Sequence, residues 1–587
     1  MSTAGIMIAA AVVAALGSEL YGLEWILTLL VFLLALQGRL ILPDWVARWE
    51  TKASSLAENP RAALLLCACA PVIVRICVLP WVPLPHPYIA DEFSNLFLAD
   101  TLIHGRLANP THPMWRSFET LHQLMRPTWS SMYFPGPAMF YAAGLFLFRS
   151  PWLGLQLSVA LFCAAVYWGL RGYFPSRWAL LGGLLAGVKF GILSHWSDTY
   201  WGGIHAALGG ALVLGAIGRM QRKLRWRDGL LMGVGLVLLA YSRPYEGLFL
   251  CLPVAVRLGY LTIRRTWSVG EFAGSLALPV LLILLPGLAF LVYYFSHITG
   301  SPFVLPYVIN KETYGWPLTL PWTDIQWHFH PQIEFREYYL YELTERVNYS
   351  DLPHFLGSLF FKGQANWRFY IGPALTLPLF FALSHWRDRR IRFLGFVALV
   401  EILVVSFQPH FPHYMAPATL AFLAVTVQGF RHLRQWTRKG RQVGLVLSRA
   451  LPMILVCVLA GRVAAQAAHI PFQKYAGFAS WCCSDPGSSN QQDAASLLPP
   501  TRRHLIIVRY RSGHSFMNQY IYNHARLDNA RIVWAREMDF EQNRKLLEAF
   551  PDRQAWLFEP DRDRGHLKPY RLEEPPKNPL EYDHFAK

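Results

Sequence analysis

The sequence predicts an all-α polytopic membrane protein with a small α/β domain on its outer side. Three observations predict it. Of 587 residues, 53% are hydrophobic and only 16% charged, and mean hydropathy is +0.25; a soluble domain of this length does not carry that apolar excess. Apolar stretches of roughly 16–25 residues recur, the length a helix needs to cross the hydrocarbon core. After about residue 463 the composition turns polar and stays so to the end.

Spans are expected near 4–20, 23–42, 62–82, 153–171, 178–193, 203–218, 229–242, 244–262, 270–295, 367–385, 391–408, 414–430 and 443–462, about 13 in all. A cleaved leader is not expected, because no basic stretch precedes Gly5 and no clear small-residue cleavage site follows. Basic clusters at Arg48 and Lys52, Arg171 and Arg177, Arg222 to Arg227, Arg264 and Arg265, Arg387 to Arg392 and Arg431 to Arg441 all fall on one side, which the positive-inside rule makes cytoplasmic. That agreement requires the apolar piece 134–148 not to cross, and Pro135 and Pro137 at its start suit a re-entrant or surface helix. Long outer loops then run over about 83–152 and 296–366, and shorter outer turns lie at 194–202, 242–246 and 408–414. The net charge of +17 is largely this topology, with cytoplasmic Arg and Lys held against anionic headgroups. Nucleic acid is not an expected partner, since no basic and aromatic motif sits in a soluble module.

The domain division expected is 1–462 in the membrane and 463–587 outside. Within the outer part, 505–510, 531–534 and 555–558 read as strands, and 515–525 and 541–550 as helices. Strands alternating with helices favour a parallel sheet, and the lack of a Gly-rich phosphate loop argues against nucleotide binding. The stretch 486–492 reads as a hinge. Cys67, Cys69, Cys77, Cys163, Cys251 and Cys457 fall in apolar spans as packing groups. Cys482 and Cys483 stand side by side in the outward segment, and because neighbours bridge each other only with strain, pairing elsewhere or free thiols are expected.

Asp91 and Glu92 open the first outer loop just past an apolar segment. Pro85 and Pro87 precede them, while Phe93, Leu96, Phe97 and Ile103 recur at helical intervals before Gly105, predicting an amphipathic helix along the outer interface. At its amino end the helix dipole and free amides hold a carboxylate ionised, the state a proton acceptor needs. The plain alternative is a helix cap. Arg243, in a proline turn where two spans meet, is a cation placed to meet an anion or headgroup; a guanidinium holds two phosphate oxygens at once. The plain alternative there is a salt bridge with Glu246. In the turn 408–417, His410 and His413 offer pH-dependent positive charge beside Tyr414. Asp198, in the aromatic turn 194–203, is a candidate for holding a ligand's hydroxyls, with Tyr245 and Glu246 as further ligand contacts. Arg75, His104, His112 and His122 are weaker candidates; the wide, irregular spacing of the histidines reads as solvated loop rather than zinc site.

A span, an outer loop opening with AspGlu, an interfacial helix ending in HisGly (104–105), a proline-containing re-entrant segment and then many spans together resemble the GT-C membrane glycosyltransferases, nearest the protein O-mannosyltransferases and lipid A aminoarabinose transferases. The resemblance covers roughly residues 60–430. It implies transfer of a sugar from a polyprenyl-phosphate donor, with the acidic residue of the first outer loop as base, a role that carries to Asp91 and less directly to Glu92. It also implies a donor-phosphate contact at the turn holding His410, His413 and Tyr414, where the family has a basic residue followed by Tyr and Pro. TyrPheProGlyPro (133–137) departs from the family's charged residue before paired prolines, and the C-terminal domain differs, so the acceptor, whether lipid, glycan or protein, does not transfer.

The expected reaction is a single inverting displacement outside the cytoplasm: Asp91 takes the acceptor's proton and the lipid phosphate departs toward Arg243 in one outer cleft. No cofactor is obligatory and a divalent metal is compatible. The expected partners are the lipid-linked sugar, membrane lipid and the acceptor, and the expected location is a bacterial inner membrane with the C-terminal domain outside. A transporter or flippase of a lipid-linked sugar, or a non-catalytic scaffold, are the alternatives; clear paired repeats or broken mid-bilayer helices, which transporters often show, are lacking.

Overall fold

The computed structural model describes residues 21–264, 267–314, 329–408, 411–469, 481–482, 490–562 and 567–572. The expected span at 4–20, together with Arg265, His410 and Cys483, lies outside the described residues. The chain divides into two compact units. One comprises 1–85, 134–291 and 348–486; the other comprises 86–133, 292–347 and 487–587. Residues 86–133 and 292–347 thus group with the C-terminal segment.

The first unit is helical. Six helices are long and apolar enough to cross a membrane: Pro60–Cys77, Pro151–Leu170, Gly203–Met220, Pro244–Ile263, Val269–Thr299, whose last turns pass into the second unit, and Val443–Ala467. These make the chain an integral membrane protein. Helices Tyr21–Gln37, Ser176–Ala186, Trp226–Ser242, Gly372–Ser384, Arg389–Val405 and Thr419–Leu433 occupy other expected spans but are shorter, so a total of about 13 crossings is not established. The local starts follow from sequence. Asn59 accepts from the backbone N–H groups of Arg61 and Ala62 at 3.1 and 3.2 Å, and Pro60 needs no donor at the first helical position. The piece 134–148 is a helix, Gly136–Phe148. It packs on Pro151–Leu170 through Gly144 and Gly154, where an added Cβ would run into the facing backbone.

The second unit is built on a four-stranded sheet. Besides the short pair β1 (Gln123–Leu124) and β2 (Ser130–Ser131), its strands are β3 (His504–Val508), β4 (Ile532–Arg536), β5 (Gln554–Phe558) and β6 (Leu567–Pro569), in the order β4-β3-β5-β6. β3 pairs in parallel with β4 and β5, as expected, while β6 adds an antiparallel edge. The helix Phe540–Ala549 is capped by Asp539, which accepts from Gln542 N–H at 2.8 Å. The stretch 515–525 is not the helix expected. Tyr520, Ile521 and Tyr522 are buried in succession, and both ends of the Asn523 amide bond to the backbone of Trp534 at 2.8 Å, so this stretch, with turns closed by Asn518 N–H on Ser515 O and Tyr522 N–H on Tyr520 O, docks on a strand through a side chain. Of the expected hinge 486–492, residues 486–489 lie outside the described residues and 490–492 open the helix Asn490–Ser496.

Residues of 86–133 complete this sheet's core. Phe97, Phe118 and Trp129 pack with Leu505, Ile507, Val533, Leu546 and Phe550. Arg536 on β4 donates to the Glu334 carboxylate at 2.9 Å from Nε and to the Glu119 carbonyl at 2.9 Å from Nη2, joining all three segments through one buried guanidinium.

Candidate active site

The helix Ala90–Ile103 carries Asp91 in its first turn. It does not lie along an interface with one wet face. Ser94, Asn95, Phe97, Leu98, Ala99 and Thr101 are all buried: on the polar side Ser94 donates to the His122 carbonyl at 2.6 Å and Asn109 donates to Thr101 at 2.8 Å, while the C-terminal segment covers Phe93 and Phe97. Phe93 stacks on Tyr522 at 4.0 Å, and Asp100 accepts from Ala525 N–H at 2.7 Å.

The two adjacent carboxylates separate in role. Glu92 is 3% exposed, and its Oε2 accepts from the N–H groups of Tyr88 at 2.9 Å and Ile89 at 3.3 Å. It closes the helix start, which places the cap on Glu92 rather than on Asp91. Asp91 keeps 17% of its side chain exposed. Tyr133 donates to its Oδ1 at 2.5 Å, and His122 Nδ1 stands 3.3 Å from its Oδ2. Burial pushes this carboxyl up, but the His122 ring and the hydrogen bonds from His122 and Tyr133 outweigh it and hold Asp91 below the usual carboxylate value.

His122 is not a solvated loop residue. It is 5% exposed, held at φ 62°, and its carbonyl accepts from Ser94 Oγ at 2.6 Å and Met132 N–H at 3.2 Å. Its Nε2 lies 3.3 Å from the Tyr338 hydroxyl, which donates to Glu342 Oε1 at 2.9 Å. Burial pushes the Glu342 carboxyl up against the Tyr338 bond and the charges of Lys311 and His122, and burial pulls Lys311 down to about 8 against the attraction of Glu342. Sequence reasoning missed Tyr133, Tyr338, Glu342 and Lys311. Only the i, i+4 spacing of Tyr338 and Glu342 on the helix Ile333–Val347 hinted at a pair. His104 bonds to the Asp100 carbonyl at 2.7 Å, and His112 packs edge-on against Phe118. Among the described residues no group of three or more His, Cys, Asp or Glu side chains forms a metal site.

The remaining candidates belong to the first unit. Arg243 caps the helix Pro244–Ile263, lies 3.5 Å from Glu246 Oε1 and stacks over the Tyr414 ring at 4.3 Å. The salt bridge posed as its plain alternative is therefore present, and Glu246, paired and 4% exposed, offers little to a sugar. Tyr245 is 41% exposed. His413 is buried among Trp201, Phe411 and Tyr414 rings, as the packing alternative has it. Asp198 is paired with a cation. Arg75 Nε donates to it at 2.9 Å with both side chains fully buried, and Arg75 also donates to the Val82 and Pro83 carbonyls at 2.9 Å, so the pair pins an aromatic turn to the end of a span. Lys362, which the sequence did not single out, donates to the Ser406 and Gln408 carbonyls at 3.0 and 2.7 Å beside the turn holding His413. Cys482 is disulfide-bonded, which removes the free-thiol expectation for it.

No family model matches the chain, and no curated protein matches it. Among solved structures it is similar to ArnT from Cupriavidus metallidurans bound to undecaprenyl phosphate, at 12% identity over 84% of this chain and 92% of that one, TM-score 0.45. It is also similar to the Archaeoglobus fulgidus oligosaccharyltransferase in complex with Zn and sulfate, at 14% identity and TM-score 0.44, covering 76% of this chain. The chain spans about 60% of the length of that archaeal enzyme. Both likenesses are remote.

Proposed function

We propose that the chain is a membrane glycosyltransferase that moves a sugar from a polyprenyl-phosphate donor to an acceptor hydroxyl on the extracytoplasmic side, with inversion and with Asp91 as general base. The observation that carries the reading is the state of Asp91. It is an ionised carboxylate at a helix amino end, oriented by Tyr133 and His122, partly exposed and relieved of capping duty by Glu92. A proton acceptor for a sugar-accepting hydroxyl needs these properties.

In the proposed step Asp91 removes the acceptor proton as the acceptor oxygen bonds the anomeric carbon. The bond from that carbon to the lipid phosphate oxygen breaks, and the phosphate leaves with the electron pair. Arg243 receives the growing phosphate charge. Its pairing with Glu246 and its stacking on Tyr414 fix the planar guanidinium beforehand, so little reorganisation is needed as charge develops. Lys362 and the turn holding His413 and Tyr414 add positive charge and an aromatic wall in the same unit. The C-terminal segment, as part of the unit that holds Asp91, belongs outside the cytoplasm with it. A divalent metal remains compatible with this scheme, and a bacterial inner membrane is the proposed location.

The test uses the full-length protein in proteoliposomes with undecaprenyl phosphate bearing a set of pentoses and hexoses. Asp91→Asn is expected to lower transfer by roughly 10²–10⁴ while leaving donor binding intact. Loss of donor flux across the bilayer without loss of bond formation identifies a transporter instead, and loss of neither identifies a scaffold.

A further inference from the structure

The base described above has a partner, His122, whose other nitrogen points away from the reaction and into a group of titratable side chains that the proposed step leaves unused. Three distances form one line: Asp91 Oδ2 to His122 Nδ1, 3.3 Å; His122 Nε2 to the Tyr338 hydroxyl, 3.3 Å; and Tyr338 hydroxyl to Glu342 Oε1, 2.9 Å. Tyr338 and Glu342 share the helix Ile333–Val347 of the second outer loop. The His122 ring is fixed by edge-on packing against both Tyr133 and Tyr338, and Tyr338 is braced edge-on by Phe516.

The direction of the Tyr338 hydroxyl decides what His122 does. While Tyr338 donates to the Glu342 carboxylate, its oxygen is left to accept, and the imidazole meets an acceptor at Nε2 and a carboxylate at Nδ1. A ring so placed donates from both nitrogens. If Glu342 cannot accept, the hydroxyl turns to donate to Nε2, and the ring then keeps a single proton. The charge at Glu342 is thereby transmitted, through one rotatable O–H bond, to the group that faces the catalytic carboxylate.

We propose that Tyr338 and Glu342 are positioning residues for the transfer reaction, acting through His122 so that the second outer loop sets how Asp91 is presented to the acceptor. This rests on the reading of Asp91 as base. The titratable groups facing the line are Asp91, Tyr133, Tyr338 and Glu342, with Lys311, Glu345, Tyr307 and Tyr522 within electrostatic reach. Lys311, on the helix Pro306–Tyr314, opposes protonation of Glu342 and so keeps the hydroxyl turned away from His122.

The experiment follows the His122 ring by NMR in full-length, histidine-labelled protein in detergent, with the resonance assigned through His122→Asn, a residue that tolerates the positive φ. Tyr338→Phe and Glu342→Met are each expected to lower the ring's titration midpoint by about one pH unit, and the double variant by no more than either single one. Tyr338→Phe removes one oxygen and keeps the packed ring, so it reports even if Glu342→Met disturbs the helix. Glu342→Gln, which retains an acceptor for the hydroxyl, is expected to recover part of the shift. A midpoint that Tyr338→Phe leaves in place overturns the proposal. In transfer assays with the undecaprenyl-phosphate sugars, the same variants are expected to move the acid limb of kcat against pH upward without changing donor KM, whereas a purely structural role lowers the rate evenly at all pH. If Asp91→Asn abolishes transfer and the His122 midpoint does not respond, the coupling alone fails. If Asp91→Asn transfers normally, the reading of Asp91 as base fails whatever the histidine does.

Discussion

Tyr133 donates to Asp91 Oδ1 across 2.5 Å while its hydroxyl oxygen also lies 3.0 Å from His122 Nδ1, so a single phenol touches both the carboxylate and the ring that steadies it. A hydrogen bond to an ionised group contributes about 1.5–3 kcal/mol. Removing it with Tyr133→Phe is expected to move the acid limb of kcat/KM upward by roughly one to two pH units, with the maximal rate at neutral pH largely kept. An unmoved limb places the essential base elsewhere.

Stability of the second unit carries the same signature. The folded Asp91 carboxyl lies below its unfolded value, so its contribution is present above the ordinary carboxylate range and is lost as pH falls through the folded value. Glu342 is held above its ordinary value and works in the opposite sense, its contribution fading as pH rises through the folded value. The difference in thermal midpoint between the wild-type protein and Asp91→Asn is therefore expected to shrink steadily from pH 6 to pH 3, about the range over which carboxylates titrate. A difference that holds constant over that range contradicts the assignment.

Arg243→Ala is expected to weaken binding of undecaprenyl phosphate by about 10- to 100-fold, consistent with loss of a charge-assisted bidentate contact. Arg243→Lys should recover only part, since an ammonium cannot grip two oxygens in a plane. Titration of the detergent-solubilised protein with the lipid measures this. Equal affinity in all three proteins would leave Arg243 as a partner of Glu246 alone.

The buried pair Arg536 and Glu334 gives a third kind of test. Truncating one member leaves the other charge stranded, an effect of about 3–5 kcal/mol, so Arg536→Ala should lower the melting temperature and open the C-terminal segment to protease. Replacing both with Met and Leu should return much of the loss.

Packing between the helices Gly136–Phe148 and Pro151–Leu170 depends on Gly154, where an added Cβ meets the carbonyl of Phe140. Gly154→Val is expected to prise the hairpin apart and reduce the yield of folded, monodisperse protein in detergent; an unchanged elution profile and melting temperature would show that the contact tolerates a side chain.

The sequence made the helices readable because apolar length is a property of the chain alone: segments such as 151–170 and 203–220 need no tertiary information to declare themselves. Strands β3, β4 and β5 of the C-terminal segment were equally plain from their apolar and aromatic runs, whereas β6, Leu567–Pro569, carries no such run. What stayed hidden was set by long-range contact. The interval of Phe93, Leu96 and Phe97 reads as one apolar face, and nothing local says that residues beyond 500 will cover Phe93 and Phe97 while His122 and Asn109 close over Ser94 and Thr101. His122 looked solvated because its burial is supplied by Tyr338, far along the chain. The segment 515–525 has helical composition, yet Asn523 ties it to Trp534 through a side chain. Asp198 looked available because its partner, Arg75, lies in a different helix.

One feature of the second unit bears on how the protein is made. Phe97 and Trp129 rest on residues of β3 and β4, so the fragment that presents Asp91 stays unfinished while nearly all the remaining chain is translated and threaded into the bilayer. A molecule truncated before those strands leaves an aromatic face exposed for quality-control proteases to seize.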